Sequence, residues 1–155
     1  MSTGIAWVDL LPGNNSAVVC YDLVDRSRWS DGPWNGEPDR VEWTDAATGL
    51  TCLARRGPCG EWNGYVRLPE DHAWRRFDVP ANPDVHGGLT HEGQLKSEDG
   101  CWVGFDCADI DDRVPDLRPS SVRPDETYRD LAFVIQEIER LAVQVAAAAT
   151  KGVGQ

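Results

Sequence analysis

The feature that most constrains the fold is an amphipathic segment near the C-terminus, PDETYRDLAFVIQEIERLAVQVAAAAT. Its apolar residues recur at steps of three and four, and this spacing places them along one face of a helix. We therefore predict a helix over residues 127–149, about 34 Å long at about 1.5 Å per residue. Thr127, with Asp130 three residues later, resembles a capping box in which Asp replaces the usual Glu. The predicted core face consists of Leu131, Val134, Ile135, Ile138, Leu141, Ala142 and Val145.

Short alternating runs earlier in the chain predict the β-strands that such a helix would cover. In RVEWTDAATGLTCLARR two alternating runs flank a turn that ends in glycine, the pattern of a β-hairpin. Further strands are predicted near 65–68, over 86–92, over 101–107 and on each side of the turn at 12–15. Together they indicate an α+β fold: a small antiparallel β-sheet packed against one long C-terminal α-helix.

Charge and composition narrow the class of protein. The chain has 26 Asp and Glu against 15 Lys and Arg, a net charge of −11, so its surface repels nucleic acids and anionic membranes. We expect one domain over residues 1–150 and a disordered tail over 151–155. No apolar run approaches the roughly 18 residues of a membrane span, and no signal-peptide pattern follows Met1. Five cysteines without a C-x-x-C pair favour reduced thiols in the cytoplasm.

The predicted binding site centres on His86-Gly87-Gly88. Paired glycines allow positive φ and close approach of a ligand to the main chain, and the imidazole can donate, accept or bind a metal. The alternative is a strained turn with a structural histidine. We expect this turn to lie beside the strand at 101–107 and to form a pocket with it. The predicted ligand-binding residues are Tyr65, His72, Trp74, His86, Gly87, Gly88, Thr90, Trp102 and Asp106.

Four of the seven tryptophans lie near glycine and proline in predicted loops. Two of them, Trp29 and Trp34, fall in the segment 25–40, which we predict to be an exposed loop. Aromatic rings in loops stack on planar ligands and dominate protein interfaces. The alternative is that Trp29, Trp34, Trp62 and Trp74 close the open end of a small sheet.

The sequence offers fewer signs of catalysis or of a metal. Cys107 is surrounded in sequence by aspartates, which raise a thiol pKa, so a buried core thiol is favoured over a nucleophile. The acidic run DCADIDDRVPD suits Mg²⁺ or Ca²⁺ but lacks EF-hand spacing, and a solvated loop is the alternative. Zinc lacks local Cys/His spacing. We predict no catalytic residue, no metal and no cofactor.

The motifs PWNGEPDRVEWTDAATGLTCL, NGYVRLPEDHAW, VHGGLT, WVGFDCAD and YRDLAFVIQEIERLA occur in this order over residues 32–145. In that order they resemble a family of uncharacterised phage and prophage-encoded proteins with P-W-x-x-E-P-D, H-G-G-L-T and G-F-D-C-A motifs. The resemblance implies a phage setting and no mechanism. Asn63 stands where the family tends to have cysteine, and Asp109 where it has histidine. A zinc or Cys–His site built from those positions would be broken here.

Three functions remain open. The first is a non-enzymatic phage accessory protein in the host cytoplasm that binds a small molecule, such as a nucleotide-type immune signal, or a host factor, to counter host defence. An anionic ligand requires clustered positive charge. The second is an acidic mimic of nucleic acid that inhibits a host enzyme. The third is a small hydrolase using His86, Asp106 and Cys107. The arginines that could cluster are Arg55, Arg56, Arg67, Arg75 and Arg76.

A homodimer is also predicted, because the terminal helix carries a smooth stripe of small residues. This stripe is formed by Ala142, Ala146 and Ala149.

Overall fold

The centre of the fold is a six-stranded antiparallel sheet. The computed structural model describes residues 7–11, 17–76, 81–109, 111–116 and 126–153. The strands are β1 (Val18–Cys20), β2 (Arg40–Thr44), β3 (Thr51–Arg56), β4 (Trp62–Leu68), β5 (His91–Gly93) and β6 (Cys101–Asp106). In the sheet they lie in the order β1-β2-β3-β4-β6-β5, and all neighbours are antiparallel.

One long helix, α1 (Leu131–Val153), packs against this sheet and confirms the predicted α+β class. A separate pair of short parallel strands, β7 (Asp112–Arg113) and β8 (Thr127–Tyr128), precedes the helix. Three short 3-10 helices cover Trp7–Leu10, Pro33–Gly36 and Ala73–Arg75. Within the described residues, no helix has the length and apolarity required to cross a membrane.

The main hydrophobic core lies between α1 and the inner face of the sheet. All seven residues of the predicted helix face are buried, which confirms the spacing argument. Gly64 in β4 allows the helix to lie close to the sheet. A Cβ at Gly64 would come within 2.7 Å of Ile138 and 2.6 Å of the Phe105 ring. The strand residues of this core include Val41, Trp43, Cys52, Ala54, Trp62, Val66, Val103 and Phe105.

The outer face of the sheet carries a second, smaller apolar cluster. Side chains alternate between the two faces of a strand, so Leu53, Tyr65 and Trp102 point away from α1. They pack with Leu95, which comes from the connection between β5 and β6. That connection therefore covers part of the outer face.

The helix begins later than the sequence predicted. Residues Thr127 and Tyr128 pair with β7 in a strand, so the predicted cap at Thr127 is wrong. Asp130 is the capping residue, because its Oδ1 accepts a hydrogen bond from Phe133 N at 2.8 Å. A second carboxylate also satisfies the helix terminus, since Glu37 Oε2 accepts from Leu131 N at 2.7 Å.

A buried polar network joins the segment before β2 to this helix terminus. Glu37 Oε1 accepts hydrogen bonds from Trp62 Nε1 at 3.2 Å, Arg56 Nη2 at 3.3 Å and the Tyr128 hydroxyl. Burial raises the pKa of Tyr128, so the phenol keeps its proton and donates a hydrogen bond to Glu37. Asp39, also buried, pairs with Arg26 and accepts from the backbone of residues 23 and 24. The E-P-D sequence at 37–39 thus organises the fold.

Several other local predictions need correction. Trp7–Leu10 forms a 3-10 helix where a strand was predicted, and the turn at 12–15 lies outside the described residues. The strand predicted over 86–92 contracts to β5, because Gly87 and Gly88 adopt positive φ, which ends any ladder.

The predicted loop at 25–40 and the predicted tail also differ in part. Segment 25–40 is not simply exposed: Trp34 is 2% exposed and packs edge-on against Tyr128. Its burial fits the alternative that the loop tryptophans close the sheet, as does that of Trp62. Helix α1 extends to Val153 and so includes part of the predicted tail, while residues 154–155 lie outside the described residues.

Candidate functional site

The predicted ligand-binding residues separate into three groups. His86, Gly87 and Gly88 lie in a turn whose main-chain and ring contacts reach α1. His72 and Trp74 lie farther along the same helix, beside Val145. The remaining residues belong to the outer side of the sheet or to its β5–β6 edge. The single pocket expected between His86 and Trp102 is therefore not formed, because Trp102 packs on the face opposite α1.

The His86 turn is fixed by contacts with the helix and with β7. The backbone N of His86 donates to Glu137 Oε1 at 2.8 Å, and its ring meets Phe133 edge-on at 5.3 Å. Gly87 has φ +69°, and a Cβ there would lie 2.2 Å from Asp109 Oδ2. Both glycines therefore adopt the positive φ that the sequence predicted. Gly87 also leaves room for the Asp109 carboxylate.

Asp112 is the centre of this region. Its buried carboxylate lies 2.9 Å from His86 Nε2 through Oδ2 and accepts from Arg129 Nε at 2.9 Å through Oδ1. Oδ2 also accepts from Asp109 N at 3.0 Å. Burial, followed by the charges of Asp112 and Asp106, raises the pKa of Asp109. The sequence drew attention to the acidic run but did not single out Asp112.

The hydrolase alternative loses its expected nucleophile. Cys107 is 2% exposed, and burial raises the pKa of its thiol far above the usual range. The charges of Asp112 and Asp106 act in the same direction. The thiol therefore stays protonated, as expected for a core cysteine. The carboxylate paired with His86 is Asp112, whereas Asp106 accepts from Ala108 N at 3.1 Å.

His72 is a structural residue in its contacts. Its Nδ1 accepts from Trp74 N at 2.9 Å, so Nε2 carries the proton and donates to Val145 O at 2.7 Å. The ring is 2% exposed and meets the half-buried Trp74 edge-on at 5.3 Å. Both nitrogens are engaged, which leaves neither for a ligand while this segment stays docked on α1.

Tyr65, Trp102 and Asp106 share the outer face with three strand arginines. Trp102 Nε1 donates to Asp99 O at 2.9 Å, so the N–H of this buried indole has a hydrogen-bond partner. Thr90 is exposed at the β5 edge, and its backbone N donates to Gly104 O at 2.9 Å. Among the nine predicted residues, Tyr65 lines a cavity of this face. The three arginines are Arg40, Arg55 and Arg67.

This cavity, called the outer-face cavity below, has a volume of about 450 Å³. Arg55, Asn63, Tyr65 and Lys96 line it. The Arg55 guanidinium lies 5.5 Å from the Tyr65 ring centroid, and its Nη1 donates to Lys96 O at 2.8 Å. Asn63 Oδ1 is buried and has no hydrogen-bond partner within the described part of the chain. Sequence reasoning did not place Asn63 or Lys96 in a binding site: Asn63 was noted only as a departure from the family's cysteine, and Lys96 belongs to no motif.

The predicted arginine cluster is divided between two places. Arg55 and Arg56 line the outer-face cavity, but Arg56 is held in the buried network with Glu37. Arg67 and Arg75 line a second cavity of about 290 Å³ near the β2–β3 turn. The second cavity also has Glu70 in its wall, so its charge is more balanced.

The alanine stripe predicted for a dimer is also changed. Ala142 is fully buried against the sheet, so it belongs to the core and not to an external face. Ala146 and Ala149 are half-buried.

No protein family, no curated protein and no solved structure matches this chain. The similarity of its motifs to phage proteins therefore stays a prediction.

Proposed function

We propose that the protein binds a small anionic molecule of nucleotide type in the outer-face cavity and does not transform it. The observation that carries the proposal is the cavity's lining. In a chain of net charge −11, Arg55 and Lys96 place positive charge beside the buried, unpartnered Asn63 Oδ1.

Each wall of the cavity suits a different part of such a ligand. Arg55 is braced by Lys96 O and by Glu98 Oε2 at 3.7 Å, so its guanidinium is oriented before a ligand arrives. A pre-oriented guanidinium recognises phosphate or carboxylate oxygens through paired hydrogen bonds. Lys96 is exposed and adds a mobile ammonium at the rim. In this proposal these two cations bind the anionic group of the ligand.

In this proposal Asn63 binds a hydrogen-bond donor of the ligand. Leaving a buried acceptor without a partner costs about 1–3 kcal/mol. If the Asn63 side chain turns Oδ1 toward the cavity, a ligand N–H, such as the amino or imino group of a base, would offset this cost by donating to it. The ligand class is therefore an anion that also carries a planar donor group.

The setting follows from the motif resemblance alone. A phage accessory protein that sequesters a nucleotide-type signal would counter host defence without catalysis. The raised pKa of the buried Cys107 thiol weakens only the hydrolase alternative that uses it as the nucleophile. The role is testable by binding, without knowledge of the host.

The test is isothermal titration calorimetry of the full chain with nucleoside monophosphates, cyclic dinucleotides and inorganic phosphate. We expect at least one nucleotide to bind with a one-to-one ratio and more tightly than phosphate. Lys96→Gln and Asn63→Asp should each weaken binding by tenfold or more, because they remove a cation or add a like charge in the cavity. Arg67→Gln is the matched control, since it removes a charge from the same face outside this cavity.

Two results would overturn the proposal. One is the absence of binding by every nucleotide up to millimolar concentration, with the protein shown to be folded. The other is equal weakening by Lys96→Gln and Arg67→Gln, which would indicate attraction by the whole face and no defined site.

A further inference from the structure

We propose that His86, Asp109 and Asp112 form a binding site for one divalent transition-metal ion. This site is independent of the outer-face cavity, because it lies between the end of β6 and the N-terminal half of α1. The three residues come from two separate parts of the chain and converge there.

The donor geometry is close to what a metal ion requires. One ligand atom from each residue lies within 4.8 Å of the other two. His86 Nε2 is 2.9 Å from Asp112 Oδ2 and 3.8 Å from Asp109 Oδ2. Ligand atoms around a tetrahedral ion with bonds of 2.0–2.2 Å are separated by about 3.3–3.6 Å. Each separation therefore has to change by about 1.5 Å or less, within the reach of the partly exposed Asp109 side chain.

The surroundings hold two of the three donors in place. Arg129 Nε donates to Asp112 Oδ1, and Oδ2 faces His86 Nε2 while it accepts from Asp109 N. Asp112 is fully buried, while the His86 backbone is tied to Glu137. Hydrogen bonds to ligating carboxylates and fixed ring orientations are the outer-shell features that tune metal sites.

The absence of a side chain at Gly87 leaves room for the third metal donor, Asp109. The Asp109 carboxylate lies against the Gly87 Cα, where a Cβ would be 2.2 Å from Oδ2. Any side chain at this position would push Asp109 away from His86. The H-G-G turn and the acidic run, which the sequence presented as separate features, thus meet at one point.

The donor set selects the class of metal. One imidazole nitrogen and two carboxylate oxygens suit Zn²⁺, Mn²⁺ or Co²⁺ better than Ca²⁺, which takes six to eight oxygens. The two carboxylates carry two negative charges, equal in size to the charge of the ion. Arg129 offsets part of the negative charge of Asp112. Three protein donors leave at least one coordination position for water, which the 17% exposed His86 and 41% exposed Asp109 side chains can admit.

The experiment uses the full chain, stripped with a chelator and dialysed. Titration with ZnCl₂ against a chromophoric chelator gives the stoichiometry and affinity, and the visible absorption of bound Co²⁺ reports its ligands. We expect one equivalent of Zn²⁺. Asp109→Asn should weaken Zn²⁺ binding tenfold or more, and His86→Gln should alter the Co²⁺ spectrum as well. Both variants leave the buried Asp112 unchanged, and circular dichroism of each variant checks that the fold is retained.

The matched control is Asp111→Asn, which removes the same charge from the same loop without removing a donor. Its Zn²⁺ affinity should stay within twofold of the parent. Equal weakening by Asp111→Asn and Asp109→Asn would show a diffuse charge effect and overturn the proposal. So would the absence of saturable Zn²⁺ and Co²⁺ binding by the folded parent protein.

Discussion

The buried Glu37 carboxylate yields the sharpest prediction about stability. Replacing it in Glu37→Gln keeps the volume and removes the charge. The amide has one acceptor side and one donor side, whereas both Glu37 oxygens now accept hydrogen bonds. In either orientation a donor faces a donor, at Leu131 N or at Trp62 Nε1 and the Tyr128 hydroxyl. Arg56, whose side chain is 0% exposed, also loses its hydrogen-bonded counter-charge and keeps the Asp39 carboxylate 3.7 Å from its Nε.

The magnitude follows from these losses. Breaking a buried charge pair by removing one partner costs about 3–5 kcal/mol. At about 2–4 °C per kcal/mol for a domain of this size, the melting temperature should fall by about 6–20 °C. Urea unfolding, followed by tryptophan fluorescence and by circular dichroism at the helix band, measures the change in the free energy of unfolding. Thermal unfolding followed by the same signals measures the change in melting temperature.

The control is Glu42→Gln in β2. Glu42 pairs with Arg40 at 2.8 Å, but its side chain is 41% exposed, so its loss should cost no more than about 1 kcal/mol. Equal losses of unfolding free energy in Glu37→Gln and Glu42→Gln would contradict this prediction. That result would mean that the network is not a main support of the helix terminus.

Two further predictions concern the other buried groups. Cys107 should react with a thiol reagent such as 5,5′-dithiobis(2-nitrobenzoic acid) at pH 8 at least tenfold more slowly than the partly exposed Cys101, because burial keeps its thiol protonated. Equal rates, followed by mass spectrometry, would contradict the assigned burial. Gly87→Ala should cost more stability than Gly88→Ala, since both have positive φ but only the Gly87 Cβ would meet Asp109. The conformational strain alone is about 1–2 kcal/mol, and thermal unfolding showing equal losses would argue against that contact.

The sequence predicted those features that depend on local periodicity. The buried face of α1, the β2–β3 hairpin and strand β6 follow from steps of 3.6 and 2 residues, which report which side of an element is apolar. The helix start could not be found this way. Its position depends on Glu37, which is 94 residues from Leu131 along the chain. No local pattern encodes a hydrogen bond over that separation.

The candidate sites show the same limit. The acidic run was visible, but its aspartates look alike in sequence. Asp112 is distinguished by its burial between β8, Arg129 and the His86 turn, and each of these is a tertiary contact. The partner of His86 was therefore assigned to Asp106, a strand residue on the outer face. Likewise Asn63 is significant only because Arg55 and Lys96 surround the same cavity.

The two faces of the sheet separate the two proposed sites. Trp34 and Trp62, two of the four tryptophans predicted to lie in loops, are buried, and they contact Tyr128 and Glu37 of the buried polar network. The proposed metal site is supported by Glu137 of α1, and the proposed anion site draws on outer-face residues of β3 and β4 and on the β5–β6 connection. Substitutions at sites without shared partners have additive effects. Loss of the metal donors should therefore leave nucleotide binding intact, and any coupling between them would have to pass through the β4–β6 pair, where Asn63 lies opposite Asp106.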